Sequence, residues 1–258
     1  MTHKKEKYFL LILILILFII NYPLLDSLTI KFLDNTQTIK IQRVVDGDTV
    51  IINNQSTRLL GINTPERGEL YYAEAKKFLE NLTQNKTLTI KKQGTDRYNR
   101  TLAYLFLDNK NINLELVKQG LANFYFPQGK KEYYFQFKGA WQDCITSQKN
   151  LCQKSTNKCA TCIKLKELDY KSEVIFFENI CSFNCDLTNW QIKDEGRKKF
   201  IFPEFTLNSH TEIKIITGQG TNTNENLFWT NEDYVWTDTG DTLFLRDEEG
   251  NLVLFNIY

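Results

Sequence analysis

The 258-residue chain is poor in residues that many enzyme classes depend on. It has two histidines, His3 and His210, and no Ser-His-Asp, glycine-rich phosphate-loop or HExxH pattern, which excludes three common kinds of catalytic site. Proline occurs four times and methionine once. Hydrophobic residues nevertheless make up 42% of the chain and aromatic residues 13%, which excludes global disorder. The length allows one or two domains with appendages.

The net charge of +1 hides two halves of opposite sign. Residues 36–152 contain 17 Lys and Arg against 11 Asp and Glu, a net of +6, whereas residues 173–258 contain 6 against 15, a net of −9. A basic half suits a polyanion, and the acidic half cannot be the main nucleic-acid surface. Uneven solvation charge is the alternative explanation.

The longest hydrophobic run lies near the N-terminus. Residues 8–25 carry no charge, and as a helix they would be about 27 Å long, just enough to cross the hydrocarbon core of a membrane. Lys4, Lys5 and Lys7 precede the run, which favours a cytoplasmic N-terminus with the following domains outside the cytoplasm. We expect a signal anchor or transmembrane helix over residues 1–27. A cleaved signal peptide and a secreted protein are the alternative, although no A-x-A-like site follows.

Cysteine is absent from the first 143 residues and then occurs six times. The six are Cys144, Cys152, Cys159, Cys162, Cys181 and Cys185. An even number in a segment outside the cytoplasm favours three disulfides, for which sequence allows 15 connectivities. A zinc site formed by Cys159-x-x-Cys162 with Cys181-x3-Cys185 is the alternative.

Three short motifs concentrate acidic residues and arginines. They are D-G-D-T (46–49), R-L-L-G-I-N-T-P-E (58–66) and D-R-Y-N-R (96–100). Carboxylates that hold a cation, a carboxylate that handles a water and arginines that neutralise phosphoryl oxygens are what cleavage of a phosphodiester requires. Surface salt bridges are the alternative for any one of these residues.

The same motifs, with L-V-K-Q-G-L-A at 116–122, resemble the staphylococcal nuclease family over about residues 36–151. The resemblance implies a five-stranded OB-fold barrel with helices. It also implies Ca²⁺-dependent hydrolysis of DNA and RNA phosphodiester bonds, with little base specificity and 3′-phosphate products.

The residues suggest roles for four positions, and the resemblance adds a fifth. Asp48, a hard carboxylate on a tight turn, suits Ca²⁺, and the resemblance adds the carbonyl of Thr64 as a ligand. Glu66 would activate or orient the attacking water. Arg58 and Arg100 would bind the phosphate and the charge that develops on it.

The sequence leaves the roles of four other positions more open. Asn63 stands where the family has a second aspartate; its amide oxygen can still bind Ca²⁺, but the lost charge predicts weaker binding. Asp46 is expected to support the turn. Tyr98 and Tyr125 are candidates for substrate binding through a phosphate or a base, with core packing an open alternative for the aromatic patch at 124–126.

Local patterns predict the elements of this first domain. Strands are expected over 38–44, 49–52, 57–60, 87–92, 102–107 and 112–114, and helices over 69–81, 114–120 and 130–148. This order matches an OB-type barrel with added helices.

The C-terminal part has a different sequence pattern. Residues 152–172 read as a Cys-rich linker. After it, short β-like runs separated by turn residues are typical of a β-sandwich. The segments D-L-T-N-W (186–190), G-D-T-L (240–243) and D-E-E-G-N-L (247–252) resemble the lamin-tail domain, an immunoglobulin-like sandwich, over residues 173–258.

Two rival functions remain open at this stage. One is a binding module, in which a nuclease-like fold holds nucleic acid or protein without cutting it. The other is an adhesion protein in which the sandwich, through an unknown surface partner, carries the main function.

Overall fold

The computed structural model describes the backbone of residues 2–33 and 36–258, and the side chains of residues 7–22 and 36–258. Helix α1 covers Thr2–Leu33. Within the described residues, no helix has the length and apolar character needed to cross a membrane. The predicted anchor at residues 1–27 falls partly outside the described side chains.

The first domain is built on one curled sheet. Its strand order is β1-β6-β7-β4-β3-β2, with β8 paired to β7, and a separate ladder joins β5 and β9. The strands are β1 (Thr36–Ile39), β2 (Arg43–Val44), β3 (Thr49–Ile52), β4 (Gln55–Leu59), β5 (Gly61–Asn63), β6 (Leu88–Thr95), β7 (Thr101–Leu107), β8 (Lys110–Asn111) and β9 (Asn123–Tyr125). The sheet is a half-barrel of seven strands, which agrees in outline with the predicted five-stranded OB-fold barrel.

Three helices cover this sheet. They are α2 (Tyr72–Thr83), α3 (Ile112–Lys118) and α4 (Tyr134–Ser147). Helix α2 buries Ala75, Leu79 and Thr83, which are spaced four apart and so lie on one face. The predicted strand at residues 112–114 is wrong. The side chain of Asn111 accepts a hydrogen bond from the backbone N–H of Leu114, and this N-cap starts α3 there instead.

The second domain consists of two four-stranded sheets and a small ladder. The sheets have the orders β10-β11-β16-β17 and β14-β13-β18-β19, and β12 pairs with β15. The strands are β10 (Ile163–Asp169), β11 (Val174–Asn179), β12 (Cys185–Asp186), β13 (Gln191–Lys193), β14 (Lys199–Ile201), β15 (Thr206–Leu207), β16 (Glu212–Thr217), β17 (Asn226–Trp229), β18 (Thr242–Arg246) and β19 (Leu252–Ile257). A shared core that includes Trp190 and Trp229 makes the domain a β-sandwich.

The segment predicted as a linker, residues 152–172, contains a strand. Its residues 163–169 form β10, which pairs antiparallel with β11 along its whole length. A β-bulge between Leu165 and Glu167 shifts the register of this strand and breaks its apolar–polar alternation, which explains why its sequence looks weakly periodic.

All six cysteines form disulfides. The pairs are Cys144–Cys152, Cys159–Cys185 and Cys162–Cys181. The disulfide prediction is confirmed, and no thiol of the proposed zinc site is left free. The second and third bridges tie the start of β10 to the region between β11 and β12, which further joins the predicted linker to the sandwich.

The hydrophobic core of the first domain also includes Phe244 and Leu252 of the second domain. Trp141 on α4 packs edge-on against Phe244 of β18 at 5.3 Å and against Phe255 of β19 at 6.1 Å between ring centroids. Nη1 of Arg246 donates to the backbone oxygen of Leu151 at 2.6 Å. These contacts hold the sandwich against the nuclease-like domain. They therefore determine which surface of the sandwich faces the motifs of the first domain.

Candidate active site

The D-G-D-T motif forms the tight turn between β2 and β3. The backbone N–H of Val45 donates to the oxygen of Thr49 at 2.9 Å, and the carboxylate of Asp46 accepts from the backbone N–H of Asp48 at 3.1 Å. A Cβ at Gly47 would lie only 2.8 Å from the side chain of Thr64, so the glycine permits the turn to approach the second motif closely. Asp46 therefore supports the turn, as expected.

Asp48 is the centre of the site. Its side chain is buried, and Oδ2 accepts hydrogen bonds from both the backbone N–H and the hydroxyl of Thr64, each at 3.1 Å. The same oxygen forms an ion pair with Arg58, and Oδ1 accepts from the hydroxyl of Thr49. The structure thus brings the predicted metal ligands Asp48 and Thr64 into direct contact.

Arg58 and Asn63 complete this cluster. Arg58 lies on β4 opposite Thr49 of β3, and its Nη2 donates to Oδ1 of Asn63 at 3.1 Å. Asn63 ends β5, and its Nδ2 donates to the backbone oxygen of Gly196 in the second domain. Arg58 therefore occupies the oxygens of Asp48 and Asn63 at the same time.

Glu66 lies at the rim of this cluster. Its side chain is about half exposed, and Oε1 lies 2.9 Å from Nε of Arg197. Its backbone N–H donates to Oε2 of Glu69 at 2.9 Å. Sequence reasoning missed Gly196 and Arg197, because it treated the sandwich as a separate unit; a basic run at 197–199 within an otherwise acidic domain was the available signal.

Arg100 is placed beside the site but is held by its own loop. It directly precedes β7, whose first residue pairs with Thr57 of β4. Its Nε forms a 2.7 Å ion pair with Oδ2 of Asp96, and its guanidinium lies 5.5 Å from the ring centroid of the exposed Tyr98. The third motif is therefore a set of mainly exposed groups, in which Arg100 has a local carboxylate partner.

The aromatic patch at 124–126 divides into core and surface. Phe124 packs against Trp141 at 6.0 Å and Phe126 against Phe137 at 5.4 Å, and both are buried. These two are core residues. Tyr125 is partly exposed on β9, opposite Gly61, and its role in substrate binding stays a prediction.

Comparisons with known proteins match both domains. The family model described as Staphylococcal nuclease homologue matches residues 56–154. A thermonuclease of Staphylococcus hyicus is 36% identical over 129 residues, which cover 45% of this chain and 76% of the relative. The chain belongs to the staphylococcal nuclease family.

Further relatives agree with this family. A thermonuclease of Staphylococcus intermedius is 31% identical over 128 residues, covering 44% of this chain and 75% of the relative. An uncharacterized endonuclease of Haemophilus influenzae is 36% identical over 104 residues, which cover 38% of this chain and 58% of the relative. The chain is thus a hydrolase of the nuclease class. The Lamin Tail Domain model matches residues 158–255, which include β10.

The D-G-D-T turn of the nuclease domain places two acidic side chains, Asp46 and Asp48, close together. Burial, followed by the neighbouring charge of Asp48, raises the pKa of Asp46. Burial also acts to raise the pKa of Glu69, but Lys193 and Lys199 outweigh it and hold the pKa at about 2. Arg58 already balances the charge of Asp48, and Lys193 and Lys199 balance that of Glu69, so a bound cation would chiefly relieve the repulsion that acts on Asp46.

The oxygen ligands of this nuclease site suit a hard cation but predict weak binding. The available groups are oxygens: the carboxylate of Asp48, the amide of Asn63 and the oxygens of Thr64. Asn123 lies opposite Asn63 in the β5–β9 ladder, and its buried Oδ1 has no hydrogen-bond partner among the described residues, so an oxygen is left over at this place. The described residues contain no cluster of three acidic, His or Cys side chains for a metal. A single carboxylate with amide oxygens implies low affinity.

Proposed function

We propose that this chain hydrolyses phosphodiester bonds of DNA and RNA in a Ca²⁺-dependent reaction and leaves 3′-phosphate ends. The observation that supports this most directly is the hydrogen-bonded cluster of Asp48, Arg58, Asn63 and Thr64 with Glu66 at its rim. Glu66, two residues after Thr64, keeps a carboxylate that is about half exposed, whereas Asp48 and Arg58 are buried.

Each group of the cluster has a chemical task in this proposal. Asp48, Oδ1 of Asn63 and the carbonyl of Thr64 would hold Ca²⁺, which supplies positive charge to the phosphoryl group. Glu66 accepts a proton from the attacking water. The water oxygen bonds to phosphorus in line with the 5′ oxygen, the bond to that oxygen breaks, and the 5′ oxygen takes up a proton from solvent water as it leaves, while Glu66 returns its proton to solvent.

The two arginines bind the phosphoryl oxygens as charge grows on them. Arg58 must exchange its bonds to Asp48 and Asn63 for bonds to substrate, and Arg100 must leave Asp96. Little base specificity is expected, because phosphate contacts carry no sequence information. Tyr98 and Tyr125 would stack on bases or bind a phosphate.

We also propose that both domains work outside the cytoplasm, attached at the N-terminus or released by cleavage. Three disulfides support this location, since such bonds persist in oxidising compartments. The uncharged run at residues 8–25 supports attachment to a membrane.

The test is cleavage by the purified protein. Labelled single-stranded DNA, duplex DNA and RNA are incubated with millimolar Ca²⁺ or with a chelator, and product ends are analysed. We expect cleavage of all three with Ca²⁺, none with chelator, and 3′-phosphate ends. Binding without cleavage across neutral to alkaline pH would instead support the binding module, which the pairing of Arg58 with Asp48 and the neutral Asn63 favour.

A further inference from the structure

One turn of the second domain lies on the nuclease site. The site turn, defined here as Asp194–Lys198, joins β13 to β14. The backbone oxygen of Gly196 at its tip accepts the hydrogen bond from Nδ2 of Asn63, and Nε of Arg197 lies 2.9 Å from Oε1 of Glu66. A single turn therefore contacts both a proposed metal ligand and the proposed base.

The base of the turn is fixed on both sides. Lys193 and Lys199, which flank it, lie 3.2 and 3.0 Å from the carboxylate oxygens of Glu69, the residue that also accepts the backbone N–H of Glu66. On the other side, Oε1 of Glu195 accepts from the backbone N–H of Phe126 at 2.9 Å. The turn is thus held against the nuclease domain at both edges of the site.

With the turn in place, the centre of the site is closed. Only 2% of Asn63, 4% of Asp48 and 7% of Arg58 are exposed. A phosphodiester in a polymer must reach Arg58 and the oxygens of Asp48 from outside. Because Gly196 already occupies the amide of Asn63 and Arg197 occupies the carboxylate of Glu66, a strand cannot take these positions while the turn remains.

We propose that the site turn is an inhibitory segment, which covers the nuclease site and must lift before a nucleic-acid strand binds. This inference rests on the proposed function, because it concerns access to the same site. Arg197 would compete with the attacking water for Glu66, and the tip of the turn would compete with the strand for the space over Asn63. The packing of Trp141 on Phe244 keeps the domains joined, so the movement is local to the turn.

Two variants of the full chain test the proposal. Arg197→Glu places a like charge beside Glu66; replacing residues 195–197 by the two-residue turn Asn-Gly removes the tip while keeping a hairpin-compatible sequence. Lys214→Glu, on the exposed face of β16, is the matched control for the charge change. Circular dichroism and thermal unfolding confirm that each variant is folded.

The first readout is cleavage of a labelled single strand at saturating Ca²⁺. Because exposed ion pairs contribute little, we expect Arg197→Glu to raise kcat/KM about two- to fivefold and the shortened turn to raise it at least about tenfold. Lys214→Glu should match the wild type. Loss of positive charge alone would weaken binding of a polyanion, so a rise is the opposite of the simple electrostatic result.

The second readout does not need catalysis. Fluorescence anisotropy measures binding of the same strand in chelator, where both folded variants should bind more tightly than the wild type. If the wild type cuts and the shortened turn neither cuts faster nor binds more tightly, the inhibitory role is overturned while the nuclease assignment stands. If no protein cuts but the variants bind more tightly, the hydrolytic function is overturned and the covering role of the turn is retained.

Discussion

Glu195 should make the stability of the protein depend on pH. Its carboxyl is buried between the domains, and burial, followed by the charge of Asp241, raises its pKa from 4.5 to about 8. A carboxyl with a raised folded-state pKa contributes stability that is fully present below about pH 4.5 and is lost as the pH rises towards about 8. The titratable groups that face it are Asp194, Asp241, Tyr125, Tyr134 and Tyr258.

Replacing Glu195 with Gln removes this titration and keeps the shape. The amide oxygen can still accept from the backbone N–H of Phe126, and the amide nitrogen can donate to the hydroxyl of Thr242, 3.4 Å away from the present carboxylate oxygen. The rise in pKa corresponds to roughly 4–5 kcal/mol. Because Asp194 and Asp241 keep their own raised pKa values, of about 7 and about 6, we expect Glu195→Gln to recover about 2–4 kcal/mol at pH 9.

Urea unfolding followed by tryptophan fluorescence measures this at pH 5 and pH 9. The free energy of unfolding of Glu195→Gln should equal that of the wild type near pH 4.5 and exceed it at pH 9, with the exposed Glu204→Gln as the control that changes neither. An identical loss of stability between pH 5 and pH 9 in Glu195→Gln and wild type would refute the reasoning.

Three further predictions follow from the site and the interface. Asn63→Asp should lower the Ca²⁺ concentration for half-maximal cleavage, because it restores a ligand charge; an unchanged requirement would remove Asn63 from the metal site. Arg100→Lys should lower kcat by about 100- to 1000-fold and leave the Ca²⁺ requirement unchanged, with Arg97→Lys on the same loop as control; near-normal kcat would make Arg100 structural. Trp141→Ala should cost about 3–5 kcal/mol in urea unfolding, because it empties the core shared by the domains; a loss under 1 kcal/mol would contradict that shared core.

The cluster around Asp48 was predictable because its determinants are local. The D-G-D-T turn and the following strand place Thr49 opposite Arg58, and the Thr64 motif follows within a few residues. The turn residues and the alternation of apolar and polar residues in the strands were therefore the main basis for predicting this cluster.

The contacts of the site turn could not be predicted in the same way. Asn63 and Gly196 are 133 residues apart, and nothing near either residue encodes how the sandwich docks on α4. The start of α3 was misjudged for a local reason, since the cap formed by Asn111 outweighs the β-like pattern that follows it. Strand β10 was hard to predict because the β-bulge between Leu165 and Glu167 breaks its alternation.

The most direct test of the account is the single-turnover rate of cleavage by Glu66→Gln. A labelled single strand at saturating Ca²⁺ serves as substrate, and Glu74→Gln, in the first turn of α2, is the matched control. We expect Glu66→Gln to lose at least about 100-fold in rate and to flatten the acid limb of the pH profile, whereas Glu74→Gln should behave as wild type. A Glu66→Gln protein that cuts at the wild-type rate would contradict the assignment of Glu66 as the base and the active site built around it.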